Sequence, residues 1–168
     1  ALALALTAGS LMTISGTAAA KGVFVGSGNA SIAIDSGTCT LATAADGENS
    51  VSIGCGAGAG AAGEFTGSKA DKDTSIGYQA GMGVKGKENT AIGSNAGESV
   101  EGDENTAFGV SAGKLVTGSK NVSLGFNSGF KLNGNSNISA GDASGGSIHG
   151  DNNVMLGTAA KVKGSAAD

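Results

Sequence analysis

An apolar residue followed by glycine returns every sixteen residues along most of this 168-residue chain. The anchors of this repeat are Ile76-Gly77, Ile92-Gly93, Phe108-Gly109, Leu124-Gly125, Ala140-Gly141 and Leu156-Gly157. A short, fixed period means that each repeat is one coil of a stack and not part of a globular core. The repeat therefore excludes most enzyme folds and favours a function for which a long, regular surface is sufficient.

We number the positions of a coil from 1 to 16, beginning at Asn89. Position 1 is asparagine in each later coil, and Asp73 takes this place in the coil before. Positions 2 and 4 are β-branched or apolar, position 3 is small or linear, and position 12 is Val, Leu or Ile. Because side chains alternate along a strand, positions 2 and 4 are predicted to face the interior together. Position 12 is predicted to add an inward residue from a second short strand.

Glycine returns at positions 5, 9 and 14, where it permits turns with φ > 0 or a close approach of two backbones. Glycine contributes 32 of the 168 residues, proline is absent, and no stretch after residue 20 keeps a helical period. The sequence thus predicts an all-β fold, a parallel β-roll or β-solenoid with sixteen-residue coils. The asparagines of position 1 either hydrogen-bond along the stack or serve as ordinary turn residues.

The composition leaves little bulk for a core, since the aromatic residues are five Phe and one Tyr. A single chain is expected to be marginally stable, which predicts an oligomer. The small residues of positions 3 and 8 are the predicted contact between chains. The chain has ten lysines and fourteen carboxylates, which give a net charge of −4. Because the lysines form no continuous basic surface, no nucleic-acid partner is expected.

The chain divides into three parts. Residues 1–20 are expected to be the remnant of a signal peptide, because an apolar run ends in the small residues Thr17 to Ala20. A buried strand or helix is the alternative for this segment. Residues 21–72 are predicted to form irregular coils with inserted loops at 37–48 and 56–72, and residues 73–168 the regular repeats. Such insertions project from one edge of a stack and often carry binding.

The two cysteines, Cys39 and Cys55, both lie in the irregular part. In an exported protein an isolated pair often forms a disulfide, which is the predicted state here. Two small buried thiols are the alternative.

The phrases at 49–54, 89–93 and 105–109 resemble the head repeats of YadA-like trimeric autotransporter adhesins. The resemblance covers about residues 22 to 164, although the period of this chain is longer than that of many family repeats. It implies a left-handed parallel β-roll in a homotrimer that is exported and displayed on a bacterial outer membrane. It also implies binding to host matrix proteins such as collagen, fibronectin or laminin, or autoaggregation. Membrane attachment is expected only through a C-terminal stalk and anchor, which this sequence does not contain.

In that family, collagen binding is associated with the phrase Asn-Ser-Val-x-Ile-Gly. The resemblance therefore implies ligand contact at Asn49, Ser50, Val51, Ile53 and Gly54. The same residue types also build a strand and its turn, so a structural role is the alternative.

The sequence predicts no enzyme activity, no cofactor and no metal site. His149 is the only histidine and lies beside a turn glycine. No other histidine is available around which a Ser-His-Asp or Cys-His arrangement could be built. The rival function is a structural segment of a phage or bacterial tail-fibre protein, in which similar Asn-Thr-Ala-Ile-Gly repeats occur. The apparent signal remnant argues against that alternative.

Overall fold

A computed structural model describes residues 49–59 and 71–161, together with the backbone of two earlier strands at 22–25 and 32–35. This part of the chain is all-β, and it contains no helix that is long and apolar enough to cross a membrane. Nine strands form one sheet in sequence order. They are β1 (Gly22–Val25), β2 (Ile32–Asp35), β3 (Val51–Ile53), β4 (Thr74–Ile76), β5 (Thr90–Ile92), β6 (Thr106–Phe108), β7 (Val122–Leu124), β8 (Ile138–Ala140) and β9 (Val154–Leu156).

The strands from β2 onwards pair in parallel, and the steps from β4 to β9 are sixteen residues each. Backbone hydrogen bonds run from coil to coil, as where Gly93 N donates to Ile76 O at 2.8 Å. The predicted β-solenoid with sixteen-residue coils is thereby confirmed. Only β1 departs from the pattern among the described strands, because it pairs with β2 in the antiparallel sense.

Within each three-residue strand the middle residue faces the interior, and its two neighbours face outward. Position 3 is buried in every strand from β3 to β9, whereas positions 2 and 4 are half-buried or exposed. The prediction that positions 2 and 4 fill the interior was therefore wrong. The buried residues of position 3 are Ser52, Ser75, Ala91, Ala107, Ser123, Ser139 and Met155.

The interior is narrow, which explains why small residues occupy position 3. A Cβ added to Gly97, at position 9 of its coil, would lie 2.9 Å from the Cβ of Ala91 at position 3. Position 8 also faces inward, and Ala96 and Ala112 are fully buried there. Because the opposing walls approach so closely, position 3 is small in every described coil before the last, where Met155 is buried. The predicted contact between chains through positions 3 and 8 is also wrong, since both line the inside of their own coil.

Position 12 supplies the larger interior side chains, as predicted. Val84, Val100, Val116, Leu132 and Ile148 form one buried cluster along the stack. The second strand of each coil is shorter than expected, however. It is reduced to single-residue parallel bridges at position 13, which pair Lys85 with Glu101, Glu101 with Thr117, Thr117 with Asn133, and Asn133 with His149.

Glycine at position 5 is required on two counts. Gly77 has φ of 130°, and a Cβ at this residue would lie 2.6 Å from the carbonyl oxygen of Gly93 in the next coil. Left-handed backbone is not confined to glycine, because positions 7, 11 and 16 also have positive φ with other residues. The residues of position 16 are Asn49, Lys72, Glu88, Glu104, Lys120, Ser136 and Asn152.

The asparagines of position 1 form a buried hydrogen-bonded ladder, which was one of the two sequence interpretations. Asn105 donates its backbone N–H and its Nδ2 to Oδ1 of Asn89, at 3.0 Å and 3.1 Å. The same Nδ2 donates to the carbonyl of Gly118, position 14 of its own coil, at 2.9 Å. Asn121 and Asn137 repeat this arrangement.

A second ladder follows position 15, at which the residue type varies from coil to coil. The backbone N–H of Lys87 donates to Oδ1 of Asp103 at 2.9 Å, and that of Asp103 donates to Oγ of Ser119 at 3.0 Å. Asn135 and Asp151 continue the series. Each side chain accepts from the preceding coil, so this ladder runs opposite to the asparagine ladder.

Candidate functional site on the outward face

The outward side chains at positions 2 and 4 of β3 to β9 form one continuous surface, which we call the apolar face. Cross-strand pairing aligns each position in neighbouring coils, so that Phe108 lies beside Leu124 and Thr106 beside Val122. The strand members of this surface are threonine, valine, isoleucine, leucine, phenylalanine and alanine, without a charged residue. A row of apolar side chains at ~4.8 Å spacing therefore runs along one side of the solenoid.

The apolar face becomes more hydrophobic and more exposed towards the later coils. Position 2 changes from threonine in β4, β5 and β6 to Val122, Ile138 and Val154 in the strands that follow. Position 4 is half-buried in β3, β4 and β5, whereas Phe108, Leu124 and Leu156 are 55%, 40% and 68% exposed. A large contiguous apolar patch on the surface of a protein marks an interaction site in many proteins.

Position 6 extends the apolar face beyond the turn glycine. Tyr78, Val110 and Phe126 all occur there and are exposed, Phe126 to 59%. Sequence reasoning missed these residues because position 6 also holds serine, aspartate and threonine, which gives no periodic signal. Two consecutive coils carry large apolar residues at both positions: Phe108 and Val110 in one coil, and Leu124 and Phe126 in the next. The residues of position 6 widen the apolar face there.

The described ion pairs lie at other positions of the coil. Each joins residues sixteen apart, so they clip neighbouring coils together: Lys72–Glu88, Lys85–Glu101, Lys87–Asp71 and Lys114–Glu98, with N···O distances of 2.7–3.0 Å. Exposed pairs of this kind contribute little to stability, because solvent and salt screen the attraction. Their positions, 10, 13, 15 and 16, leave the strand residues of the apolar face uncharged.

The predicted ligand-binding phrase is distributed over different surfaces. Ser50 is only 2% exposed and stands at position 1, whereas Asn49 occupies the exposed, left-handed position 16. Val51 and Ile53 are half-buried and belong to the apolar face. Gly54 is a position 5 glycine, at which a Cβ would lie 2.6 Å from the carbonyl oxygen of Gly77. The residues of this phrase thus form one strand and the turn that follows it. Their contact with a ligand stays a prediction.

Several further predictions concern residues outside the described part. The signal-peptide segment 1–20, the loop 37–48 and Cys39 lie there, as does most of the insertion 56–72. Cys55 is half-buried in the turn that follows β3. The predicted disulfide between the two cysteines therefore stays a prediction.

His149 lies exposed at position 13, in the backbone bridge with Asn133. No group of three or more His, Cys, Asp or Glu side chains suited to a metal ion occurs in the described residues. Comparison with protein-family models, with curated proteins and with solved structures found no match to this chain.

Proposed function

We propose that this chain is the head of a homotrimeric adhesin displayed on a bacterial surface, with a left-handed coil and no enzymatic activity. The single observation that carries the proposal is the apolar face, whose strand positions hold no charge from β3 to β9. The resemblance of the repeat phrase to trimeric adhesin heads supplies the class of function. In this proposal the chain reaches the surface by export, and a C-terminal anchor holds it in the outer membrane.

The placement of large apolar side chains on the outside of the coil supports the trimer. Apart from Met155, the interior residues at positions 3 and 8 are alanine and serine, while phenylalanine, leucine and isoleucine lie outside at position 4. A chain that exposes its larger apolar side chains gains stability when copies bury them against one another. Three parallel chains in register, each turning its apolar face to a common axis, would bring identical residues together coil by coil.

This arrangement limits which residues of the predicted ligand-binding phrase remain accessible. Val51 and Ile53 would be covered at the trimer axis, and Ser50 is already buried within its own coil. Asn49 is the exposed residue of the phrase. Contact with collagen, fibronectin or laminin through this phrase would therefore depend on Asn49 together with neighbouring turn positions.

Sedimentation of the chain across a range of concentrations, followed by binding to immobilised matrix proteins, tests both parts of the proposal. We expect a trimer that binds at least one matrix protein or associates with other trimers. The variant Leu124→Lys places a charge in the apolar face and is expected to yield monomers. Thr117→Lys, at the exposed position 13 on another side of the coil, is the matched control and should remain trimeric.

A folded monomer that binds no matrix protein would contradict the proposal as a whole. A stable trimer that neither binds matrix proteins nor self-associates would favour the alternative, a structural segment of a phage or bacterial tail-fibre protein. The tail-fibre alternative shares the buried apolar face but needs no ligand, so the binding measurement distinguishes the two functions.

A further inference from the structure

The asparagine ladder is irregular at the step between Asp73 and Asn89. In the regular steps the Oδ1 of one asparagine accepts two hydrogen bonds from the next. At the irregular step only the backbone N–H of Asn89 donates to Oδ1 of Asp73, at 2.7 Å. Oδ2 of Asp73 and Nδ2 of Asn89 are both buried without a hydrogen-bond partner among the described residues.

Asp73 connects the coil of β3 to the regular array. Its backbone carbonyl accepts the N–H of Val51 at 2.9 Å, and its side chain holds Asn89 on the opposite side. The residue is 4% exposed. Any change in the Asp73 side chain is therefore transmitted to the junction between the irregular and the regular coils.

The protonation state decides whether Asp73 can replace an asparagine. In the later coils Nδ2 of position 1 donates to the carbonyl of position 14, as from Asn105 to Gly118. The equivalent carbonyl in the Asp73 coil belongs to Gly86. A protonated Oδ2–H can supply the missing donor to that carbonyl, whereas an ionised carboxylate offers only acceptors. A buried carboxylate without a compensating hydrogen bond is costly.

The charged groups around this site do not compensate a negative charge at Asp73. Asp71 and Asp103 both oppose its ionisation. The ammonium group of Lys87 pairs with Asp71 at 3.0 Å. On the same turns Lys72 pairs with Glu88 at 2.8 Å.

We propose that Asp73 makes the junction between β3 and the regular array sensitive to pH: the neutral acid supplies the donor that the later coils have at this position, and the carboxylate loosens the junction. This inference concerns regulation of the fold and does not depend on adhesin function.

The direction of the effect follows from the pKa of the buried carboxyl. Burial, and to a lesser extent Asp71 and Asp103, raise the pKa of Asp73 from 3.8 to about 7, although the backbone N–H and the nearby side-chain amide of Asn89 act to lower it. Because the folded state holds the proton more tightly than the unfolded state, this group destabilises the fold progressively as pH rises from about 4 to about 7. Above about pH 7 its contribution is constant.

Amide hydrogen exchange, corrected for intrinsic rates, tests the proposal on the intact chain. We expect the protection of the Asn89 and Val51 amides to fall at least about tenfold between about pH 5 and about pH 8.5. In Asp73→Asn this fall should disappear, because the variant restores the residue type of the other coils. Asp142→Asn, which changes an exposed carboxyl at position 6, should behave like the parent.

A carbon-13 titration of the Asp73 carboxyl gives an independent measurement, with a midpoint near neutral pH as the supporting result. A midpoint near 4, or a pH-dependent loss of protection that persists in Asp73→Asn, would overturn the proposal.

Discussion

Asn121 and Asn137 are joined by two hydrogen bonds to a single oxygen, since the backbone N–H and Nδ2 of Asn137 both donate to Oδ1 of Asn121 at 3.0 Å. Asn121 is 1% exposed and repeats the same pair of bonds towards Asn105. One side chain thus stabilises the coil before it and the coil after it. The ladder is a structural element of the solenoid in its own right.

Removal of one rung is expected to destabilise the fold severely. Asn121→Ala eliminates the acceptor for Asn137 and leaves the carbonyl of Gly134 without its Nδ2 donor. We expect the free energy of unfolding to fall by about 2–4 kcal/mol, because the orphaned groups stay buried. Urea denaturation at fixed protein concentration measures the change.

Asn133→Ala is the matched control for this experiment, since Asn133 is exposed at position 13. Its effect should stay within about 0.5 kcal/mol. Equal losses in the two variants would show that the ladder contributes nothing specific.

The position 5 glycines should not tolerate a methyl group. Gly93 has φ of 130°, and its added Cβ would lie 2.5 Å from the carbonyl oxygen of Gly109. We expect Gly93→Ala to lower the free energy of unfolding by about 2 kcal/mol or more. Gly146→Ala is the control, because nothing lies within 4 Å of its added Cβ.

Thermal unfolding of the two glycine variants gives the comparison. Gly146→Ala should leave the midpoint unchanged or raise it slightly, through the lower entropy of the unfolded chain. A Gly93→Ala protein as stable as the parent would contradict the close coil-to-coil contact.

Much of this fold could be predicted from the sequence because the constraints repeat. The sixteen-residue period required stacked coils, and Gly77 and its equivalents marked the turns. Val100 and the other residues of position 12 were assigned to the interior correctly. The stacking of amides such as Asn105 on Asn89 was one of two interpretations of a single column.

The two faces of the strand were assigned the wrong way round for a physical reason. Alternation shows that Thr106 and Phe108 share a face, but it does not show whether that face is buried in the coil or by another chain. The small size of Ala107 was the available signal, because only a narrow interior requires it. The position 15 ladder could also have been predicted from the sequence. Asp103, Ser119 and Asn135 all carry a side-chain oxygen close to the backbone, where it can accept a hydrogen bond from a backbone N–H.

Paired enlargements on either side of one strand test the corrected assignment. Ala107→Leu overfills the interior, where a Cβ on Gly113 would already lie 2.9 Å from the Ala107 Cβ, and should cost about 1–3 kcal/mol. Thr106→Leu adds bulk on the outward face, where the narrow interior sets no limit, and should cost less than Ala107→Leu. Chemical denaturation of both variants provides the measurement, and a larger loss for Thr106→Leu would restore the original assignment.

The predicted disulfide can be tested by a digest that separates the two cysteines. The first two glutamates of the chain, Glu48 and Glu64, place Cys39 and Cys55 on separate peptides after cleavage at glutamate. We expect these peptides to remain linked until a reductant is added to protein prepared by export. A bond that closes a loop of this length stabilises a fold by about 3 kcal/mol in the chain-entropy model, so Cys55→Ser should lower stability by a comparable amount. Peptides that separate without reductant would instead support two buried thiols.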